Sequence, residues 1–469
     1  MLDNLFIVIA MFFWFSYVPI AIVSLGRVLQ NRHVFVEKHA KRGHDMSITV
    51  EKQDEISLAN MQAMRTIIFQ ITTRSATKTH VVKRGIQSVI DSAHKIGYRN
   101  YKVSVVTDDP EDLVTLRGVE CEVVLVDSSF DTNAIRKGRA LQYAVEHRRR
   151  TGENTLDYWV FHMDDESYVT TQTILALLKS IENGKEIASE GPIFYPLKFE
   201  DANRITALAE SIRPFACYDC VSQMTNPPPL HMHGSNLLVR SDVEDDIEWQ
   251  FGPTLAEDQM FGYRVFEKYG PGSMGWHGGI LLEQPPLNIR DHFFQRRRWV
   301  FGTLQNLANF PRWHRFKLIY KSLTYFLGFA SAAASTSIML YSYLSALLQY
   351  QELSYNIMTI PDRLPFLFFA SFFEAVAESA YLEIGVGSIL LFTSIVWISS
   401  YQLGLFLNLR YSKVGPLKRL KFHFQTLFLC PIIGLVETFP AFWATIEYYF
   451  KKRETGQKMP VYDFYVVAK

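Results

Sequence analysis

The chain has 469 residues, 48% of them hydrophobic and 14% aromatic, more apolar surface than a soluble core usually holds, so part of it is expected to face lipid. Its 48 Lys and Arg balance 47 Asp and Glu, which excludes the one-sided basic footprint of a nucleic-acid binder. Four scattered cysteines, Cys121, Cys217, Cys220 and Cys430, are too few for a disulfide framework and suit a catalytic domain in a reducing compartment such as the cytosol.

The first apolar run, Leu5 to Gly26, is uncharged and long enough to cross a bilayer core of roughly 30 Å. Asp3 ahead of it and Trp14 and Pro19 within it suit a retained anchor over 1–28 better than a cleaved signal peptide. Arg27, Arg32, Lys38, Lys41 and Arg42 follow, so the positive-inside tendency puts the amino terminus outside and the next segment in the cytosol. Over 45–290, Val- and Ile-rich runs alternate with amphipathic periods. TIIFQIT, YKVSVV, CEVVLV, YWVFHM and GPIFYP are expected strands, and IQSVIDSAHKIG and GRALQYAVEHRRR expected helices. This alternation predicts an α/β fold with a mostly parallel sheet and a ligand crevice beyond the carboxyl ends of its strands. Arg148 to Arg150 are expected at a solvated helix end.

An amphipathic interfacial helix is expected over 288–318, followed over 319–450 by transmembrane and interfacial helices and over 451–469 by a cytosolic tail. The runs 323–348 and 384–407 are uncharged and long enough to span. LPFLFFASFF (364–373) and the run from Phe424 to Phe450, which contains Pro431, Pro440 and Glu437, stay open between re-entrant, interfacial and spanning. Basic residues on both sides of the latter favour a hairpin over a single crossing. Cys430 there is expected as a small packing residue.

Three acids, Asp164, Asp165 and Glu166, close the YWVFHM strand. If the chain stays extended, Asp164 and Glu166 point to one side and Asp165 to the other. Two converging carboxylates suit Mg²⁺ or Mn²⁺ shared with substrate phosphates; in isolation the same acids also fit a solvated loop. Glu257-Asp258 opens the helical run AEDQMFGYRVFEKYG, where a carboxylate can be only a cap or dipole partner. A metal-binding acid set with a separate carboxylate is nevertheless the minimum equipment for inverting sugar transfer. Gln295-Arg296-Arg297-Arg298-Trp299 fits an anchor for anionic lipid. Arginine also offers bidentate contact to phosphate, and tryptophan a face on which a sugar can stack.

Asp108 in VVTDDP, the 164–166 acids, Glu257-Asp258 and QRRRW stand in an order and spacing that resembles glycosyltransferase family 2, the inverting GT-A enzymes. Within it the chain is most similar to the egghead-type β-1,4-mannosyltransferases, through ITTRS, VVTD, KGRALQY, HMDDES, LAEDQMF, QRRRW and the terminal DFYVVAK. The resemblance implies a cytosolic GT-A domain with an added α-helical transmembrane bundle in a multi-pass membrane protein. It implies that Thr73, Arg74 and Asp108 line the nucleotide pocket, that Lys137 and Arg139 approach the diphosphate, and that Asp164 and Glu166 hold Mn²⁺ or Mg²⁺, with Asp165 at the donor. Asp258 is then the general base beside Glu257, Gln295, Arg298 and Trp299 close over the donor, and His233, Gly234, Ser235 and Trp299 face the acceptor. Expected partners are a nucleotide-sugar, GDP-mannose among the candidates, a glycolipid or glycan acceptor, and membrane lipid, but no nucleic acid. A processive β-glycan synthase shares these motifs, and a non-catalytic scaffold is disfavoured because all the expected acids are present.

Cys217 and Cys220, with His231 and His233 downstream, have the residue types of a zinc site. Their irregular spacing across Pro227 to Pro229 favours two buried thiols with loop histidines.

Overall fold

The computed structural model describes residues 18–31, 65–75, 80–353, 384–457 and 459–460. The first part of the expected anchor, the 364–373 run and DFYVVAK lie outside them; the end of the anchor is helix α1 (Val18–Gln30). In chain order follow β1 (Thr66–Thr72), α2 (His80–Lys95), β2 (Tyr101–Thr107), α3 (Asp112–Thr115), β3 (Glu122–Leu125), α4 (Arg136–Thr151), β4 (Tyr158–Asp164) and α5 (Thr171–Asn183). Then come β5 (Ala188–Glu190), β6 (Ile193–Phe194), α6 (Arg204–Ala209), α7 (Ile212–Thr225), β7 (Leu237–Arg240), α8 (Ser241–Ile247), α9 (Glu257–Tyr269), β8 (Met274–Trp276) and β9 (Leu281–Leu282). The chain closes with α10 (Ile289–Asn306), α11 (Arg312–Leu353), α12 (Ile384–Arg410) and α13 (Pro416–Thr455).

The main sheet is mixed and has the order β3-β2-β1-β4-β7-β5-β8. β1 lies parallel to β2 and β4, and β2 to β3, while β7 runs antiparallel to both β4 and β5. β1 and β4 are buried along five consecutive residues, as strands covered on both faces must be, which explains their unbroken apolar runs. GPIFYP contributes only the two-residue β6, paired with β9. Register places the site: Thr72 pairs with Val106 on one side and Asp164 on the other, so residues 73–74, 108 and 164–166 leave the sheet at one edge.

Arg148 corrects the expectation of a solvated helix end. It is 3% exposed and donates to Glu244 at 2.7 Å and to Gln70. Glu244 also accepts from Trp249 Nε1 at 2.7 Å, so α8 supplies the acid that lets a guanidinium sit under the sheet. Arg149 pairs with Asp245 and Glu248, and Arg150 is exposed.

The expected interfacial segment ends earlier than 318, because the chain breaks at Phe310–Pro311 and α11 starts at Arg312. The expected spans 323–348 and 384–407 lie in α11 and α12. Among the described residues, α13 is the one helix long and apolar enough to cross a membrane, by length and composition. It also overturns the hairpin expectation, since Pro431 and Pro440 sit inside one continuous 40-residue helix. α10 and α11 pack along it and hold it through both prolines.

Candidate active site

The strand edge opens into a cavity of about 650 Å³, within the usual range for small-molecule sites. Thr73, Arg74, Asp108, Asp164, Asp165 and Glu166 line it from the sheet. Lys137 comes from α4, Glu257 and Asp258 from the start of α9, Gln295, Arg298 and Trp299 from α10, and His233, Gly234 and Ser235 from the loop before β7. Of the expected site residues, Arg139 alone is absent from the lining. It donates to the carbonyls of Asp127, Ser128 and Phe130 and lies 3.3 Å from Asp108, so it braces the loop beneath Asp108.

The acids do not follow strand alternation. β4 ends at Asp164, and Ser167 N donates back to the Asp164 carbonyl at 3.1 Å, so residues 165 and 166 form a turn and Asp165 shares the cavity. Asp165 accepts from Thr73 Oγ1 at 3.4 Å. Lys137 Nζ donates to Asp164 Oδ1 and, at 2.9 Å, to the Gly234 carbonyl. Burial alone would lower the Lys137 ammonium, but Asp164, Glu257 and Asp258 outweigh it and hold it raised. Arg136, just before it, takes a left-handed φ of 56°, a conformation a non-glycine residue keeps only where its surroundings impose it.

Asp258 sits across the cavity from the strand edge. Burial and the neighbouring Glu257 push its carboxyl up to about 7, against the opposing pull of Lys137 and Arg298, where a general base is most effective near neutral pH. Gly234 is its floor: a Cβ there would lie 3.0 Å from Asp258 Oδ2 and 3.1 Å from Lys137 Nζ. The all-oxygen set of Asp164, Asp165 and Glu166 fits a hard divalent cation that completes its shell with substrate phosphates.

Residues 159–375 match the family described as Glycosyl transferase family group 2. The chain is 27% identical over 232 residues to Beta-1,4-mannosyltransferase egh of Drosophila melanogaster, covering 48% of this chain and 49% of that protein. It is 26% identical over 308 residues to Beta-1,4-mannosyltransferase bre-3 of Caenorhabditis elegans, covering 64% and 63%. Residues 159–375 are therefore similar to family 2 glycosyltransferases. Its matches span about half to under two thirds of those relatives' own lengths. Among solved structures, mannosyl-3-phosphoglycerate synthase from Rubrobacter xylanophilus is 14% identical with a TM-score of 0.35, covering 58% of this chain and 83% of that one. S. aureus TarS in complex with UDP-GlcNAc is 10% identical with a TM-score of 0.27, covering 74% and 90%.

Around this cavity the three arginines of QRRRW separate. Arg296 is 3% exposed and bonds Glu210 and, at 3.0 and 3.1 Å, Glu437 of α13. Arg297 holds both carboxylate oxygens of Glu447 at 2.7 Å. Only Arg298 lines the cavity, so two of the three tie α13 to α10 instead of serving as a lipid anchor. Trp299 lies under two guanidinium groups, Arg213 at 4.2 Å and Arg296 at 4.3 Å from its ring centre, which restricts its use as a stacking platform. Arg213, Tyr195 and Glu283 also line the cavity and went unnoticed in the sequence, where nothing in their spacing signals it. Glu283 is 4% exposed and accepts from Ser167 and Ser235 at 3.1 and 2.8 Å, fastening the acid turn to the loop opposite.

Proposed function

We propose that the chain is an inverting, metal-dependent glycosyltransferase that moves a sugar, mannose from GDP-mannose as the first donor to test, onto a membrane glycolipid to form a β-linkage. The observation that carries this reading is the presence in one cavity of Asp258, with its raised carboxyl, and the 164–166 acids. Thr73, Arg74 and Asp108 at the strand edge would bind the nucleoside, and Lys137 with Arg298 would meet the diphosphate. Asp164 and Glu166 would hold the divalent cation, which when bound neutralises charge on the departing nucleoside diphosphate. Asp258 would take the proton of the acceptor hydroxyl as that oxygen attacks the anomeric carbon from the face opposite the leaving group. An α-linked donor then gives a β product.

Placement at a bilayer is supported by α13 and by large apolar side chains exposed on the terminal helices, among them Phe316, Ile395, Leu417 and Phe450 at 73, 54, 82 and 60%. In this reading the protein is multi-pass and its cavity faces the cytosol. The test supplies purified enzyme with Mn²⁺ and a panel of UDP- and GDP-sugars, reading nucleoside diphosphate release and product size. A single-sugar lipid product supports the proposal. A polymer would instead identify a processive β-glycan synthase, and no release with any donor would sink both.

A further inference from the structure

The geometry points to a second metal centre on the cavity wall: a zinc ion, or a cation of the same borderline-soft class, held by Cys220, His231 and His233. Cys220 Sγ lies 3.0 Å from His231 Nε2 and 3.5 Å from His233 Nε2, and the three ligand atoms all fall within 4.8 Å of one another. A tetrahedral zinc with its usual bond lengths separates such atoms by roughly 3.3–3.6 Å, so one ion fits with small side-chain shifts. The sulfur and nitrogen donors set the centre apart from the all-oxygen acids at the strand edge and select a softer ion.

The surroundings are built for it. Glu190, 1% exposed, accepts from the His233 backbone N–H and places Oε2 3.8 Å from His233 Nδ1, the outer carboxylate that orients a ligating imidazole. Gln223, on the same helix as Cys220, accepts from the backbone N–H groups of Leu230 and His231 at 2.8 and 3.1 Å, turning the proline-containing loop back over the thiol. This return, invisible in the spacing, brings His231 and His233 to Cys220. Binding needs no redox partner: Cys220 releases its thiol proton to solvent and the thiolate donates to the ion. Three protein ligands leave a fourth position for water or for Cys217, which hydrogen-bonds Cys220 on the same cavity wall. The ion would staple α7 to the 231–235 loop, whose Gly234 supports Lys137 and Asp258. This positioning role rests on the transfer reading; the metal site does not.

The experiment measures metal content in the full chain purified in detergent without chelator, with no donor or acceptor present. About one zinc per chain is expected, falling to background in Cys220→Ser, His231→Gln and His233→Gln and persisting in Cys121→Ser and Cys430→Ser. Cobalt loaded in its place should give the wild-type protein a thiolate-to-metal charge-transfer band, a readout that stands even if a variant misfolds. Wild-type protein that keeps less than about a tenth of an equivalent after zinc loading and gel filtration, or a Cys220→Ser protein that keeps the full complement, overturns the proposal. Neither result bears on sugar transfer, which the donor panel tests separately.

Discussion

Two buried charge clusters in this molecule use the same side chains to opposite ends. At the junction of α10 and α13, Arg296, His292 and Arg213 face Glu210 and Glu437, three basic groups for two acids. At the strand edge, Lys137 and Arg298 face Asp164, Glu257 and Asp258, two cations for three carboxylates. Burial would raise Glu210, but Arg296 and His292 override it and hold the carboxyl well below its ordinary value. Burial and Glu257 instead drive Asp258 up to about 7, and Lys137 and Arg298 only partly offset them. A cluster whose acids are all matched by bases has no carboxylate left to offer a ligand, whereas an acid-rich one keeps a carboxylate ready to take a proton and a field that draws in a cation. The difference separates what holds the terminal helix from the residues proposed to carry out the chemistry.

The most direct way to break this comparison is Asp258→Asn. Removing the base should cut the transfer rate about a thousandfold with the fold intact, read by nucleoside diphosphate release and thermal unfolding. Full rate would make both clusters structural. Next in size, Glu437→Ala leaves Arg296 with Glu210 as its one remaining acid in this cluster, and stability should drop by about 3–5 kcal/mol. Thermal unfolding in detergent checks it, and an unchanged midpoint would mean that the Arg296–Glu437 pair adds nothing to the hold on α13.

pH sharpens the contrast, because the two shifts have opposite signs. The rate should rise about tenfold per pH unit up to about 7 and then level off as Asp258 ionises. That ionisation is unfavourable in the folded state, so above pH 7 Asp258→Asn should raise the unfolding midpoint even as it abolishes activity. Glu210 behaves in reverse: its lowered carboxyl contributes stability that is present above the ordinary glutamate value of about 4.3 and lost as pH falls below it. A rate profile flat from pH 5 to 8 would remove Asp258 as the base. A smaller effect is expected from Gly234→Ala, whose methyl would press on Asp258 Oδ2 and Lys137 Nζ. About a tenfold fall in kcat with little change in stability is the predicted signature of a displaced base.

The parallel half of the sheet was legible because central strands must be apolar throughout, and TIIFQIT and YWVFHM have no other use for such runs. Once those strands were in place, the acids after Met163 had to emerge at the ligand edge. Direction was not legible for β7, a four-residue LLVR run with nothing in its pattern to orient it. Nor could the sequence separate Arg148 from Arg150, or Arg296 from Arg298. Each run is chemically uniform, and burial is decided by Glu244 and Glu437, which lie 96 and 141 residues away. Spacing hides the approach of His231 and His233 to Cys220 for the same reason, since the loop between them doubles back.

Arg297→Lys tests the finest version of the comparison. Its pair with Glu447 is bidentate and only 11 and 16% exposed, intermediate between the sealed Arg296 cluster and the open cavity. An ammonium keeps the charge but can match only one of the two parallel hydrogen bonds. The loss should therefore be about 1 kcal/mol, well short of that for Glu437→Ala, with kcat unchanged. A larger loss would mean that the junction depends on planar recognition at its rim as well as on charge at its centre, and would extend the structural cluster from Glu437 to the outer turns of α13.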